Sequence, residues 1–249
     1  MKPKFSAVFL IGILFLVVLA YRTKSRWYTK IKHALVEKSH EGNRKDLAYD
    51  AENAVWGIDL SHHQGHVNWD KLCKNNKPHF AFFKVTEGSS HKDTRFNSYI
   101  DKAREYDIRV GAYHFFSYRS SGKSQARHFL KHAKLQKGDL PYVLDAEYSR
   151  RMPNQSKVSR EIMSFLETVE AETNIRPIIY CEANYYNKYI KNETEKEYPL
   201  WLCDFRRRPK SNHSFWQKSD QFKLAGVNGT VDFNVFNGDS LALRRLCVP

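Results

Sequence analysis

The chain has 249 residues, 41% of them apolar and 27% charged, which suffices for one sizeable core and excludes both a disordered chain and a multi-span membrane protein. The net charge is +14, of which +5 falls on residues 1–54 and +9 on the remainder. A basic surface suits a polyanionic partner, but no basic–aromatic repeat or nucleic-acid motif accompanies it, so no nucleic acid is expected as a partner.

Phe5 to Tyr21 is an unbroken uncharged run of 17 residues. As a helix it would extend about 25 Å, marginal against a hydrocarbon core of about 30 Å. Lys2 and Lys4 precede it, Val18-Leu19-Ala20 offers a small-residue cleavage site, and Arg22, Lys24 and Arg26 follow at once. Residues 1–21 therefore read as a signal-anchor or a signal peptide, with membrane attachment through residues 5–21 if they are not cleaved. Residues 22–54 are polar and charged and read as a juxtamembrane stalk. Either reading makes the protein extracytoplasmic, membrane-anchored or secreted.

From Val55 short apolar runs alternate with amphipathic stretches. Strands are predicted at 55–60, 79–85, 109–115, 141–147 and 177–181, and helices at 67–75, 93–106, 124–135 and 156–173. The last helix carries its apolar stripe on Val158, Ile162, Phe165, Leu166 and Val169. Beyond it the helices shrink, and strands are predicted at 200–203, 215–217 and 231–233. Nearly continuous apolar strands alternating with helices imply a parallel sheet. The fold class is α/β: an incomplete TIM-like β/α barrel with a helix-depleted second half, preceded by an N-terminal hydrophobic helix. An open doubly wound sheet is the competing topology. No G-x-G-x-x-G follows a strand and no P-loop is present, which weakens a nucleotide-binding version.

Acidic residues mark the predicted strand ends. Asp59 lies near the end of the first strand, Asp145 and Glu147 at the end of the fourth, and Asp232 in the last. In a parallel barrel the strand C-termini open on one face, where catalytic groups belong. Side chains at i and i+2 of a strand point the same way, with Cα atoms roughly 6.6 Å apart. Asp145 and Glu147 would then face one cleft. Glycosidic cleavage needs one protonated carboxyl for the leaving oxygen and a second negative group for the developing positive centre. Crowded, partly desolvated acids keep a proton available near neutral pH. Glu147 is the expected general acid, then base, because its longer side chain reaches further. The bland alternative is a solvated acid pair or a structural ion pair.

These residues resemble glycoside hydrolase family 25, the Chalaropsis-type lysozymes or N-acetylmuramidases, from about Val55 to Asp239. Gly57-Ile58-Asp59-Leu60-Ser61 with Gln64-Gly65 resembles the family's opening G-I-D-x-S-x-x-Q-G. Lys84 to Gly88 resembles K-x-T-E-G, Gly111 to Phe115 resembles G-x-Y-H-F, and Leu144 to Glu147 resembles L-D-x-E. Trp216-Gln217 and Val231 to Asn234 resemble the closing W-Q and V-D-x-N. The resemblance implies a catalytic domain over residues 55–249. It further implies hydrolysis of the β-1,4 bond between N-acetylmuramic acid and N-acetylglucosamine in peptidoglycan glycan strands. Separately, a monomer with no cofactor and no metal is expected. Glu147 would be acid/base, and Asp145 would act on the substrate's N-acetyl group or the positive centre. Asp59 and Asp232 would support them. One departure is Trp201-Leu202-Cys203-Asp204-Phe205, where the family reads Trp-Ile-Ala-x-Tyr, followed by Arg206-Arg207-Arg208.

Substrate contacts are expected from Tyr113, Tyr180, Trp201, Glu87 and Gln217, with Trp216 as a further aromatic candidate. His62, His63, His66 and His114 invite a metal, but no acid–helix motif accompanies them, and surface or substrate-lining histidines are the simpler reading. Cys73, Cys181, Cys203 and Cys247 permit two disulfides or four thiols. Two other functions remain open: a non-catalytic cell-wall glycan-binding module, and a hydrolase of another amino-sugar polymer.

Overall fold

The computed structural model describes residues 54–249, together with Leu47 and Asp50. The expectations for residues 1–21, and for the stalk apart from these few positions, lie outside the described residues. Among the described residues no helix is long and apolar enough to cross a membrane.

The strands are β1 (Trp56–Leu60), β2 (Phe80–Glu87), β3 (His91–Lys92), β4 (Arg109–Phe115), β5 (Val143–Asp145), β6 (Ile178–Glu182), β7 (Leu200–Cys203), β8 (Phe215–Phe222) and β9 (Val231–Phe236). They run in the order β1-β9-β8-β7-β6-β5-β4-β2-β3, and β1 also pairs with β2. That extra pairing closes eight strands into a barrel and leaves the short β3 as a hairpin arm on β2. The helices are α1 (Trp69–Asn76), α2 (Phe96–Glu105), α3 (Gly122–His132), α4 (Gln155–Thr173), α5 (Ala183–Tyr189) and α6 (Ser240–Leu246). No helix separates β7 from β8 or β8 from β9, so the second half of the barrel is the helix-poor half.

Two features differ from a uniform parallel barrel. β9 runs antiparallel to both of its neighbours, β1 and β8. Its N-terminal end, with Asp232, therefore lies at the mouth reached by the C-terminal ends of the other strands. β5 is also shorter than predicted: it ends at Asp145, and Glu147 lies beyond it. The apolar run Tyr142-Val143-Leu144 overstates the strand's length, since pairing stops at the buried Asp145 and the chain is exposed from Glu147 onward.

Strand alternation fills the interior. Phe80 and Phe82 of β2, Val143, Tyr180, Trp201 and Phe215 share one apolar cluster. Phe82 stacks on Trp201 with centroids 4.7 Å apart, and Phe80 meets Phe215 edge-on at 5.2 Å. Gly111 faces Phe82, where a Cβ would come within 2.4 Å of the ring, so the sheet needs a bare backbone to admit that phenyl group. One step further along the same faces, hydrophobic residues give way to Lys84, Asp59, Tyr113, Asp145 and Gln217.

Outside the sheet, α4 buries Val158, Ile162, Phe165, Leu166 and Val169, the whole predicted stripe. Asn154 caps its start by accepting from the Lys157 amide, and Asn174 ends it in the left-handed conformation at φ 56°. α3 starts at Gly122 because Ser121 caps it through the Ser124 amide. Gly122 packs on the backbone of α4, where a Cβ would fall 1.8 Å from the Glu161 carbonyl oxygen. Gly122→Ala is therefore expected to destabilise by about 1–3 kcal/mol or more, since neither backbone can yield cheaply. Denaturant unfolding would measure it, and an unchanged midpoint would contradict this packing.

Candidate active site

A cavity of about 450 Å³ opens at the barrel mouth. Its walls include all four predicted acids, Asp59, Asp145, Glu147 and Asp232, and the five expected contact residues Tyr113, Tyr180, Trp201, Glu87 and Gln217. Asp145 and Glu147 line the same cavity although only Asp145 belongs to the strand. Asp145 is buried at the end of β5, whereas Glu147 is an exposed residue.

A hydrogen-bonded chain forms the floor. Tyr180 Oη donates to Gln217 Oε1 at 2.7 Å, and Gln217 Nε2 donates to Asp59 Oδ2 at 3.1 Å. Asn234 Nδ2 donates to the same Asp59 oxygen at 2.8 Å, and Trp201 Nε1 donates to Asn234 Oδ1 at 2.9 Å. The polar groups of Tyr180, Trp201 and Gln217 are thus committed to orienting Asp59. What they leave for a ligand is mainly ring surface. Trp216 lies one residue out of phase with Gln217 on β8, is absent from the cavity wall and donates its indole N–H to the Asp204 carbonyl at 2.8 Å. Period-two alternation sends it to the other face.

Burial raises the pKa of all four acids. For Asp145 it is the leading cause, followed by the charges of Glu147 and Asp59, with Lys84 opposing; together they raise the carboxyl well above the usual range. For Glu147 the cavity walls act first, then Asp59 and Glu182. Asp59 and Asp232 face each other across β1 and β9 and hydrogen-bond each other. Burial raises both, donors from Asn234 and Gln217 favour charge on Asp59, and the nearness of Asp59 raises Asp232 further. Burial and mutual repulsion therefore keep a proton within this pair near neutral pH. Asp145 Oδ1 is buried without a hydrogen-bond partner.

Lys84 is buried in the same wall. Its Nζ lies 2.7 Å from Glu87 Oε2 and 4.8 Å from the centroid of the Phe115 ring. Ser61, His63 and Gln64 also line the cavity. The sequence allows His63 a substrate-lining place, but it gives Ser61 and Gln64 no such role; Ser-His-His-Gln forms a capping box in which Ser61 N–H donates to Gln64 Oε1 at 2.9 Å. Asp93, buried, anchors this turn by accepting from the His62 amide at 2.9 Å and bonding His62 Nδ1 at 2.8 Å.

The other histidines stand elsewhere. His114 is neither a surface nor a cavity residue: it is buried behind β4, held by Thr86 Oγ1 at 2.8 Å and Gln125 Oε1 at 3.0 Å. Burial lowers its pKa to about 3, so it is neutral. Among the described residues no group of three or more His, Cys, Asp or Glu side chains is placed to hold a metal ion. All four cysteines are free thiols, and only Cys181 is fully buried.

A closed eight-stranded barrel whose mouth gathers carboxyls at several depths beside aromatic surfaces is the architecture of a glycan-cleaving barrel enzyme. The chain belongs to glycosyl hydrolases family 25, whose family model matches residues 58–227. It is 36% identical over 196 residues to YegX of Escherichia coli strain K12, covering 76% of this chain and 71% of that protein. It is 32% identical over 211 residues to lysozyme M1 of Streptomyces globisporus, covering 78% and 71%. The bacterial lysozyme from Streptomyces coelicolor superposes with a TM-score of 0.71 at 32% identity, over 78% of this chain and 97% of that one.

Proposed function

We propose that this glycoside hydrolase is a muramidase that cuts the β-1,4 bond between N-acetylmuramic acid and N-acetylglucosamine in peptidoglycan. Residues 55–249 are its catalytic domain. Residues 1–21 direct it out of the cytoplasm as an anchor or a cleaved signal, and residues 22–54 act as a stalk. The observation that carries the reading is the graded quartet of acids, with Asp145 buried and Glu147 exposed to the open cavity.

Four close carboxyls cannot all ionise, so the quartet retains protons near neutral pH. In the free protein burial and the charges of Glu147 and Asp59 hold the Asp145 carboxyl well above its ordinary range. An acetamido N–H of the substrate, donated to its partnerless Oδ1, favours the charged form of Asp145 and leaves a proton on Glu147. Glu147 then protonates the leaving oxygen and, as a carboxylate, later activates water. Asp145 holds the acetamido group beside the positive centre, and Asp59 and Asp232 support both through the floor network. Tyr113 and the ring faces of Tyr180 and Trp201 carry sugar contact, with Glu87 at the edge and Gln217 in the floor beneath.

Product analysis on purified peptidoglycan tests the bond assignment. Reducing-end muramic acid is expected, and reducing-end glucosamine would reject it. Lys84 supplies a second test. Its ammonium favours ionised Asp145 and Glu147. Removing it lets both carboxyls hold protons to higher pH. Lys84→Met is therefore expected to move both limbs of the kcat/KM pH profile upward, by about one pH unit. An unmoved profile would exclude that role.

A further inference from the structure

Beside the main cavity lies a smaller chamber of about 200 Å³, which shares Glu147, Tyr180 and Phe205 with it. Its remaining walls include Tyr148, Glu182 and Cys203. Pairing of β6 with β7 sets Glu182 and Cys203 side by side at the strand ends. Two of the three exposed large hydrophobic side chains among the described residues, Tyr148 and Phe205, flank this chamber, at 43% and 44% exposure. Exposed aromatics gathered at one small cavity mark a binding surface more than chance scatter does.

The aromatic wall is held in place. Tyr148 meets Tyr185 edge-on with centroids 5.2 Å apart, Tyr185 shares a 2.6 Å hydrogen bond with Tyr118, and Tyr118 Oη donates to the Glu147 carbonyl at 2.7 Å. The cluster already carries one ammonium, since Lys188 Nζ lies 4.9 Å from the centroid of the Tyr189 ring. Glu182 is exposed, makes no capping hydrogen bond at the start of α5 and pairs with no cation among the described residues.

We propose that this chamber is a subsite for a primary ammonium group carried by the wall polymer. The proposal rests on the muramidase reading and deepens it by naming what the enzyme recognises next to the cut bond. An ammonium donates a charge-assisted hydrogen bond to Glu182 and lies against the ring faces of Tyr148 and Phe205. A carboxylate is repelled by Glu182 and Glu147. A neutral acetamide offers Glu182 a single uncharged N–H, a weaker hydrogen bond than the charge-assisted one an ammonium makes. Two groups on such a polymer carry the chemistry: the 2-amino group of a de-N-acetylated hexosamine, and the side-chain amine of a stem-peptide diamino acid.

The experiment measures kcat/KM on two matched pairs. One is stem-free glycan, fully N-acetylated or N-deacetylated at its glucosamine residues only, so that the muramic acid acetamide held by Asp145 is kept. The other is intact peptidoglycan with its stem amines free or chemically acetylated. Wild type is expected to prefer the amine-bearing member of one pair by about tenfold, the worth of one charge-assisted hydrogen bond. Preference in the first pair alone identifies the hexosamine amine, and in the second alone the stem amine. Glu182→Gln should bring that ratio close to one, and Tyr148→Leu should reduce it part of the way. Each variant is its own control, because only the ratio is read. Cleavage of all substrates with ratios near one in wild type, or an unchanged ratio in Glu182→Gln, overturns the subsite and leaves the muramidase reading standing. Absence of cleavage of every substrate by wild type overturns both.

Discussion

Glu147→Gln is expected to lower kcat on purified peptidoglycan by about 10²- to 10⁴-fold, the range associated with a positioned general acid. The substitution keeps the size of the side chain and its hydrogen-bonding atoms but removes the transferable proton. KM should move little, because the binding surfaces of Tyr113, Tyr180 and Trp201 are untouched. The residue is exposed and its carboxyl, raised by its surroundings, does not stabilise the fold when ionised, so the melting temperature at neutral pH should be equal to or slightly above that of wild type. Dye release from labelled peptidoglycan measures the rate, and sedimentation with insoluble wall measures binding. Equal release by variant and wild type would remove Glu147 from the reaction. It would also revive the reading of the domain as a wall-binding module.

The second large effect belongs to Asp145. Asp145→Asn is expected to lower kcat by about 10²- to 10³-fold, as loss of one preorganised charge at a reacting centre does. Its stability should change in the opposite sense. Burial and the neighbouring carboxylates raise Asp145 well above the usual range. The folded state therefore holds this proton more tightly than the unfolded chain does. As pH rises above about 3.9, the ordinary aspartate value, the unfolded chain ionises first and gains stability relative to the native state. The penalty grows until the folded carboxyl also ionises. Asparagine removes that penalty. The variant should melt at or above the wild-type temperature at neutral pH, with the gap widening from pH 4 upward. A melting temperature below wild type at every pH would make Asp145 a structural residue and weaken its assignment beside the reacting centre.

Both expectations depend on neighbours contributed by distant segments. Asp59 lies in β1 and Asp232 in β9, yet they face each other in register. Their pairing depends on the closure of the barrel and on the antiparallel course of the last strand. Neither follows from the local sequence around either residue. The same closure brings Gln217 and Asn234 onto one oxygen of Asp59. Lys84 reaches the cavity on the inward face it shares with Phe80 and Phe82, and Glu87 joins it there because β2 runs two residues past the predicted strand.

The amino-acid order alone settled the alternation of strand and helix, the buried stripe of α4 and the start of β4 at Arg109, and it picked out four acids that line one cavity, because period and strand-end position are local properties. Helix periodicity in Val158, Ile162, Phe165, Leu166 and Val169 can be read wherever the segment sits. Tertiary structure decided the rest. It reversed β9, stopped β5 at Asp145, turned Trp216 away from the cavity and buried His114 behind the sheet. It also assembled the Tyr180–Gln217–Asp59–Asn234–Trp201 chain and the aromatic chamber beside Glu147. Those outcomes depend on which strand lies next to which, and a nearest-neighbour pattern along the chain does not carry that information. Side-chain direction and desolvation become fixed only when the sheet closes, and the proton affinities of the four acids follow from both.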